Sequence, residues 1–366
     1  MIILYITVTL YALQLLLFAY IFYKSVTHIP KKLYSDKNQE NISVVIPFKN
    51  EENNLGQLVK NLRNQSLDYK CFEIIFVNDN SEDKSEDILY NLIKNIPNFK
   101  LINSPKNGKK EALKEGIKKS YSNLIVTTDA DCIHQKYWLE TILSCHKKYR
   151  PKMIIAPVLM KGKDIFGKLQ ALDFLGLAAS TAGSCGIKRP VMCNGANLIY
   201  EKEVFYEFED ILNSEEVSGD DMFLLHNIKK KYPNDIYYLK SNKAVVYTEA
   251  EANLKSFFRQ RIRWASKSKS YKDFDTVFLS FLVFGVNISL IFASFLAIFG
   301  AIKPITLLFL FLLKFIPETV LLLITGSYFK QKDILFLIPV LSVIHPFYIV
   351  YTAIAGITVK KIKWKS

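Results

Sequence analysis

Residues Leu124-Ile125-Val126-Thr127-Thr128-Asp129-Ala130-Asp131 form an apolar, β-branched run that ends in two carboxylates separated by one small residue. A run of this kind reads as a buried strand bounded by a turn. Two acids so close repel one another unless a cation lies between them. A divalent ion held jointly by Asp129, Asp131 and a diphosphate removes that repulsion, and Mg²⁺ and Mn²⁺ both prefer such oxygen ligands. On these residues alone, an acidic turn without metal is the plainer alternative.

Outward from this run the same pattern repeats. Residues 42–47, 72–77 and 153–156 are further short strands, and 53–65, 83–95, 109–120 and 136–149 carry apolar residues at helical spacing. Alternation of strand and helix predicts an α/β fold with a mainly parallel sheet, whose ligands bind beyond the carboxyl ends of the strands. The chemistry-bearing residues fall there. The first strand is read as ending at Pro47, which cannot donate to a ladder, with Asn50 and Glu51 opening the next helix. At the second strand's end, helix capping accounts for Ser81 and Asp83 but not for Asp79, a carboxylate placed to accept hydrogen bonds from a nucleobase or ribose. Lys109 and Lys110 follow Asn107-Gly108 at a helix start, where the helix dipole disfavours cations unless a phosphate is bound nearby; a solvated basic turn is the alternative. Gly195-Ala196-Asn197 combines small residues that admit close backbone approach with an amide suited to sugar hydroxyls. Asp220 and Asp221, after Gly219, suit either a helix cap or a general base, because one acid raises the proton affinity of its neighbour. Arg259-Gln260-Arg261-Ile262-Arg263-Trp264 places Gln260 and Trp264 on one helix face. There Arg263 suits a diphosphate and Trp264 a sugar ring or lipid; an interfacial anchor helix reads the same residues.

Composition sets the surroundings. Half of the 366 residues are hydrophobic, and the mean hydropathy is +0.13. Residues 1–23 are almost wholly apolar, followed by Lys24, Lys31 and Lys32. This order predicts an uncleaved membrane anchor whose C-terminal side faces the cytoplasm. Residues 24–41 read as a linker, 42–272 as a cytoplasmic catalytic domain, and 273–366 as a membrane region of about three hydrophobic segments. In the last segment His345-Pro346 predicts a helical hairpin that re-enters. Lys360, Lys361, Lys363 and Lys365 favour a cytoplasmic C-terminus. The net charge of +14 comes from scattered lysines without an interleaved arginine–aromatic pattern, which argues against nucleic acid and for an anionic lipid surface. Five cysteines without a CxxC pair argue against a disulfide framework or zinc site.

Taken in order, Asp79, Asp129-Ala130-Asp131, Asp221 and Gln260-x-x-Arg263-Trp264 resemble the aspartate series and QxxRW motif of family 2 glycosyltransferases with the GT-A fold. The resemblance runs from the first strand to Trp264, and the flanking apolar segments fit it. It implies a GT-A nucleotide-sugar-binding domain with transmembrane helices at both ends. It also implies inverting transfer from a nucleotide-diphospho-sugar, UDP favoured, with Mg²⁺ or Mn²⁺ on Asp129 and Asp131. Pro47, Asn50, Glu51, Asp79 and Lys109 would complete the donor site. Asp221, beside Asp220, would take the acceptor proton, and Asn197, Gln260, Arg263 and Trp264 would meet diphosphate and acceptor. One departure is Asn78, where family members often carry an acid. The expected acceptor is a membrane lipid or lipid-linked sugar. A processive polysaccharide synthase is the alternative, and a transporter or receptor with a cytoplasmic domain is a remote one.

Overall fold

A computed structural model describes residues 2–25, 40–208 and 220–359. The linker lysines 31 and 32 and the four lysines of the C-terminal tail lie outside the described residues. The chain divides into two compact units, one containing residues 2–25, 160–191 and 250–359, the other 40–159, 192–208 and 220–249.

The second unit is built on a seven-stranded sheet ordered β3-β2-β1-β4-β8-β6-β9. Its strands are β1 (Ile42–Phe48), β2 (Phe72–Asn78), β3 (Phe99–Asn103), β4 (Leu124–Thr127), β6 (Met153–Ile155), β8 (Leu198–Glu201) and β9 (Ile236–Tyr238). Strands β3, β2, β1 and β4 run parallel, with Ile42 opposite both Phe72 and Leu124. β8 alone is reversed, antiparallel to β4 and to β6, and β6 and β9 are again parallel. Every residue of β1, β2 and β4 is buried, as expected of strands covered on both faces. Each buried Val or Ile there contributes about 1.5–3 kcal/mol.

Pro47 lies inside β1 rather than ending it. Its neighbour two residues back, Val45, accepts from Thr128 N–H of the β4 segment at 3.4 Å, so by alternation the missing N–H of Pro47 points to the same side. Pairing with β4 stops at Val45 opposite Thr127, and no ladder bond is lost. On the other side the ladder continues to Asp79, whose N–H donates to Phe48 O at 2.8 Å. Helices α2 (Leu55–Arg63), α3 (Ser85–Ile93), α4 (Lys109–Lys119) and α5 (Trp138–Tyr149) connect the strands. At Gly116 in α4, a Cβ would lie 2.3 Å from Val45 Cγ1 and 2.9 Å from Val77 Cγ2; glycine lets this helix approach β1 and β2 closely. β5 (Ile133–His134) pairs antiparallel with β10 (Val246–Glu249). The short strand β7 (Val158–Lys161) and helices α7 (Lys202–Glu207) and α8 (Asp220–Lys231) complete the elements relevant here.

The other unit is helical. It contains α1 (Ile2–Lys24), α6 (Ile165–Gly186), α9 (Leu254–Lys267), α10 (Phe274–Ile298), α11 (Pro304–Tyr328) and α12 (Ile338–Thr358). Among the described residues four segments, Ile2–Lys24, Phe274–Ile298, Pro304–Tyr328 and Lys332–Thr358, are long and apolar enough to cross a membrane. The first three share a core that includes Val8, Tyr11, Phe18, Val286, Leu290 and Leu310. α12 runs without interruption through Pro346, so the re-entrant hairpin expected from His345-Pro346 does not form. Proline removes one backbone bond, and here Pro346 is buried within the helical packing. Lys314 and Glu318 pair at 2.8 Å, and Tyr11 Oη donates to Glu318 at 2.7 Å.

Candidate active site

The carboxyl edge of the sheet gathers the sequence-predicted acids of the second unit. After β2, Asp79 is buried, and its Oδ1 accepts from Gly108 N–H at 2.7 Å. Burial holds its carboxyl above the ordinary aspartate value, against the Gly108 amide and Lys49, which act the other way. Gly108 has φ of +113°, a backbone conformation that suits glycine, and it turns its amide onto Asp79 just ahead of α4.

Lys109, first residue of α4, sets its ammonium on Asp129 Oδ1. Burial works against the charged lysine, but Asp129, followed by Asp221 and Asp131, outweighs it and holds the lysine pKa above its usual value. The cation at the helix start thus has a protein partner. Asp129 and Asp131 stand in the turn after β4, Asp129 half-buried and Asp131 exposed. The residue before them, Thr128, is fully buried, and its hydroxyl lies 2.8 Å from His134 Nε2. Burial pulls His134 down to about 3, so a neutral imidazole, packed 4.3 Å from the Trp138 ring, supports the acidic turn. Nothing in the local sequence marked His134 for this.

Asp221 reaches the same place through backbone. Thr127 Oγ1 donates to Gly195 O at 2.8 Å, and Gly195 N–H donates to Asp221 Oδ2 at 3.1 Å. Asp221 Oδ1 also accepts from Met222 N–H at 2.9 Å. The strand that carries Asp129 therefore fixes Asp221 by two hydrogen bonds. The Asp220 side chain lies outside the described residues.

Three predicted residues turn out to hold the scaffold. Asn197 is fully buried: Oδ1 accepts from Trp138 Nε1 at 2.9 Å, and Nδ2 donates to Pro157 O and Ala244 O, both at 2.9 Å. With its amide so engaged it does not face the site, which corrects its reading as a sugar-contacting residue. Asn50, at φ +54°, receives Glu82 N–H on Oδ1 at 2.8 Å and donates its own N–H to Ser81 Oγ at 3.1 Å. Glu51 N–H donates to Ser85 Oγ at 2.7 Å. These bonds tie the β1–α2 turn to the β2–α3 turn. Asn78 is explained as well: Nδ2 donates to Glu86 Oε2 at 2.9 Å and Oδ1 accepts from Ser81 N–H at 3.0 Å. An acid at this position would face Glu86.

Gln260, Arg263 and Trp264 lie on α9, in the helical unit. Gln260 Nε2 donates to Glu251 Oε1 at 2.8 Å, and the Trp264 ring lies 6.1 Å from Phe174. Between them, Arg261 is buried and paired with Asp173 of α6 at 2.8 Å, a residue that sequence reading left unassigned.

Among the described residues no group of three or more His, Cys, Asp and Glu is placed to hold a metal ion. The pair Asp129 and Asp131 nonetheless suits Mg²⁺ or Mn²⁺, because such ions bind through one or two carboxylates and take remaining ligands from substrate phosphates.

Residues 43–207 match the family model for glycosyl transferase family 2. A poly-β-1,6-N-acetyl-D-glucosamine synthase of Staphylococcus epidermidis is 25% identical over 239 residues, covering 62% of this chain and 54% of the relative. The chain thus spans about half the length of that relative. A dolichyl-phosphate β-glucosyltransferase of Trichomonas vaginalis is 35% identical over 97 residues, 25% of this chain and 30% of the relative. A mannosyltransferase from Pyrobaculum calidifontis, solved with GDP-mannose and Mn²⁺, covers 98% of this chain and 99% of its own, with a TM-score of 0.62 and 15% identity. At that identity the likeness speaks for the fold. The chain carries a family 2 glycosyltransferase domain built on the GT-A fold, with helices at the N-terminus and in the C-terminal region apolar enough to span a membrane.

Proposed function

We propose that the chain is an inverting glycosyltransferase that moves a sugar from a nucleotide-diphospho-sugar to a membrane lipid or lipid-linked acceptor at the cytoplasmic membrane face. The observation that carries this is the convergence of Asp79, Lys109, Asp129, Asp131 and Asp221 at one sheet edge, with Asp221 tied to the Asp129 strand through Gly195. Asp79 binds the base, and UDP is the favoured nucleotide. Asp129 and Asp131 would hold a divalent ion, whose chemistry would be to neutralise charge on the leaving diphosphate. Lys109, now on Asp129, is placed to turn to a phosphate. Asp221 accepts the acceptor's hydroxyl proton as the new bond forms. Its carboxylate is oriented by the Gly195 and Met222 amides. Gln260, Arg263 and Trp264 serve diphosphate and acceptor, and Arg263 stabilises the leaving oxygen. α1, α10, α11 and α12 cross the membrane, with the catalytic region on the cytoplasmic side.

The matches to poly-β-1,6-N-acetyl-D-glucosamine synthases support a second reading, repeated transfer to a growing polymer. One assay separates the two. Detergent-purified protein is given UDP- and GDP-sugars, Mn²⁺ or Mg²⁺ and extracted lipids, and both nucleotide diphosphate and products are measured. Metal-dependent release, lost in Asp221→Asn, with one sugar per lipid supports the first reading. A ladder of longer products supports the second. Failure of every nucleotide-sugar to bind would overturn both.

A further inference from the structure

Helix α9 carries the QxxRW residues, and the residue between Gln260 and Arg263 that is most deeply engaged is Arg261. Its guanidinium lies between two rings of its own helix, with Cζ 5.0 Å from the centre of Phe257 and 4.5 Å from that of Trp264. One nitrogen donates to Gln260 Oε1 at 3.3 Å, and another donates to Asp173 Oδ2 at 2.8 Å. The second oxygen of Asp173 accepts from the Tyr348 hydroxyl on α12, with His345 Nε2 3.8 Å from it. Three residues before Asp173 on α6, Gln170 grips Glu251 by its backbone, donating to its carbonyl at 2.9 Å and accepting its N–H at 3.0 Å. Glu251 in turn accepts from Gln260. Both ends of the Gln260 amide and one face of Trp264 are therefore set by a single buried network that spans α6, α9 and α12.

Stability alone is a poor reason for this arrangement. A buried Arg–Asp pair gives up solvation that an apolar pair of similar volume would not, so replacing such pairs by packed hydrophobic residues is often neutral or favourable. What the guanidinium supplies is geometry, because it is planar, stacks on rings and bonds in a fixed fork. We propose that Arg261, clamped by Asp173 and Tyr348, is a positioning residue that holds Gln260 and Trp264 in the arrangement sugar transfer requires. This rests on the role given above to the QxxRW residues.

The test uses the full chain in nanodiscs, with Arg261→Lys, which keeps the charge and loses the fork and stacking, and Tyr348→Phe, which frees one oxygen of Asp173. Three quantities are read: kcat and KM for whichever UDP- or GDP-sugar the wild type turns over, the thermal midpoint, and deuterium exchange across residues 254–267. The expected result is a fall in kcat of about ten- to a hundredfold, as small misplacements of positioning groups produce. KM for the donor moves much less, and the thermal midpoint falls by only about 2–8 °C, so the protein stays folded at the assay temperature. Exchange rises in 254–267 and not in the other helices. Wild-type kcat in both variants, or activity lost only in proportion to folded protein, overturns the proposal. If the wild type turns over no donor, the proposed function falls, and exchange then decides the positioning role alone: unchanged protection of 254–267 in both variants refutes it.

Discussion

Replacing Asn197 by alanine separates a scaffold residue from a substrate contact. The side chain satisfies three buried groups: the Trp138 indole N–H and the carbonyls of Pro157 and Ala244. Each group left unpaired in the interior costs about 1–3 kcal/mol. Some of that is recovered if water enters the space vacated, so a loss of about 4 kcal/mol is expected. For a domain of 150–250 residues each kcal/mol lowers the midpoint by about 2–4 °C, which puts the shift near 10 °C. Thermal unfolding of the full chain followed by tryptophan emission measures it, and Trp138 reports directly because its own hydrogen bond is the one removed. Nucleotide binding per folded molecule should be retained. The reasoning is refuted if Asn197→Ala unfolds within about 2 °C of the wild type yet loses its affinity for acceptor lipid, since the amide would then be serving a sugar after all.

Asp79→Asn should bind nucleotide about ten- to a hundredfold more weakly by titration calorimetry, the loss expected for a hydrogen bond to a charged group. The same variant should unfold no lower than wild type at pH 7. Burial raises the folded Asp79 pKa, so ionisation opposes folding as pH rises above the unfolded value; the variant's advantage should vanish below that value, where both forms are neutral. Asn78→Asp places a carboxylate against Glu86, now 2.9 Å from the amide nitrogen, and should lower the midpoint at pH 7. The second change Glu86→Gln should restore it. Gly116→Ala forces a methyl against Val45 and Val77 and should cost about 1–3 kcal/mol, read as a lower midpoint. Chelation with EDTA should stop nucleotide diphosphate release without lowering the unfolding midpoint of the ligand-free protein, because Asp129 is already neutralised by Lys109.

The parts of this fold legible in sequence are those whose signal is local. β1, β2, β4 and β6 are short, mostly apolar runs rich in Ile and buried along their whole length, and the apolar stretches after residue 273 are too long to be anything but extended helices. β3 was missed because it lies at the sheet edge, where only Phe99 is buried and Lys100 and Asn103 face water. β8 was missed as a strand because its four residues end in Tyr200-Glu201, although it sits mid-sheet. Asp79 stands out in sequence because helix capping does not account for it, and Asp129 and Asp131 because adjacent acids repel; the structure pairs Asp79 with the Gly108 amide and Asp129 with Lys109. Asn197 could not be judged, since its partners stand 40 to 59 residues away. The bonds of Asn50 are equally illegible in sequence, its partners Ser81 and Glu82 lying on another turn. Arg261 looked like one more interfacial cation because Asp173 and Tyr348 come from distant helices.

The reversed strand β8 has a consequence for how the polypeptide is made. It joins β4 to β6, yet residues 198–201 leave the ribosome after α6 and well after both neighbours. At about 5–20 residues per second, the interval between completion of β4 at Thr127 and arrival of Leu198 is roughly 4–14 s. Throughout that time β4, and from its own completion at Ile155 also β6, presents an open edge to other nascent chains. Slow translation between residues 127 and 198, or a truncation ahead of β8, lengthens that exposure, so the yield of soluble catalytic domain depends on how quickly this one short strand is delivered.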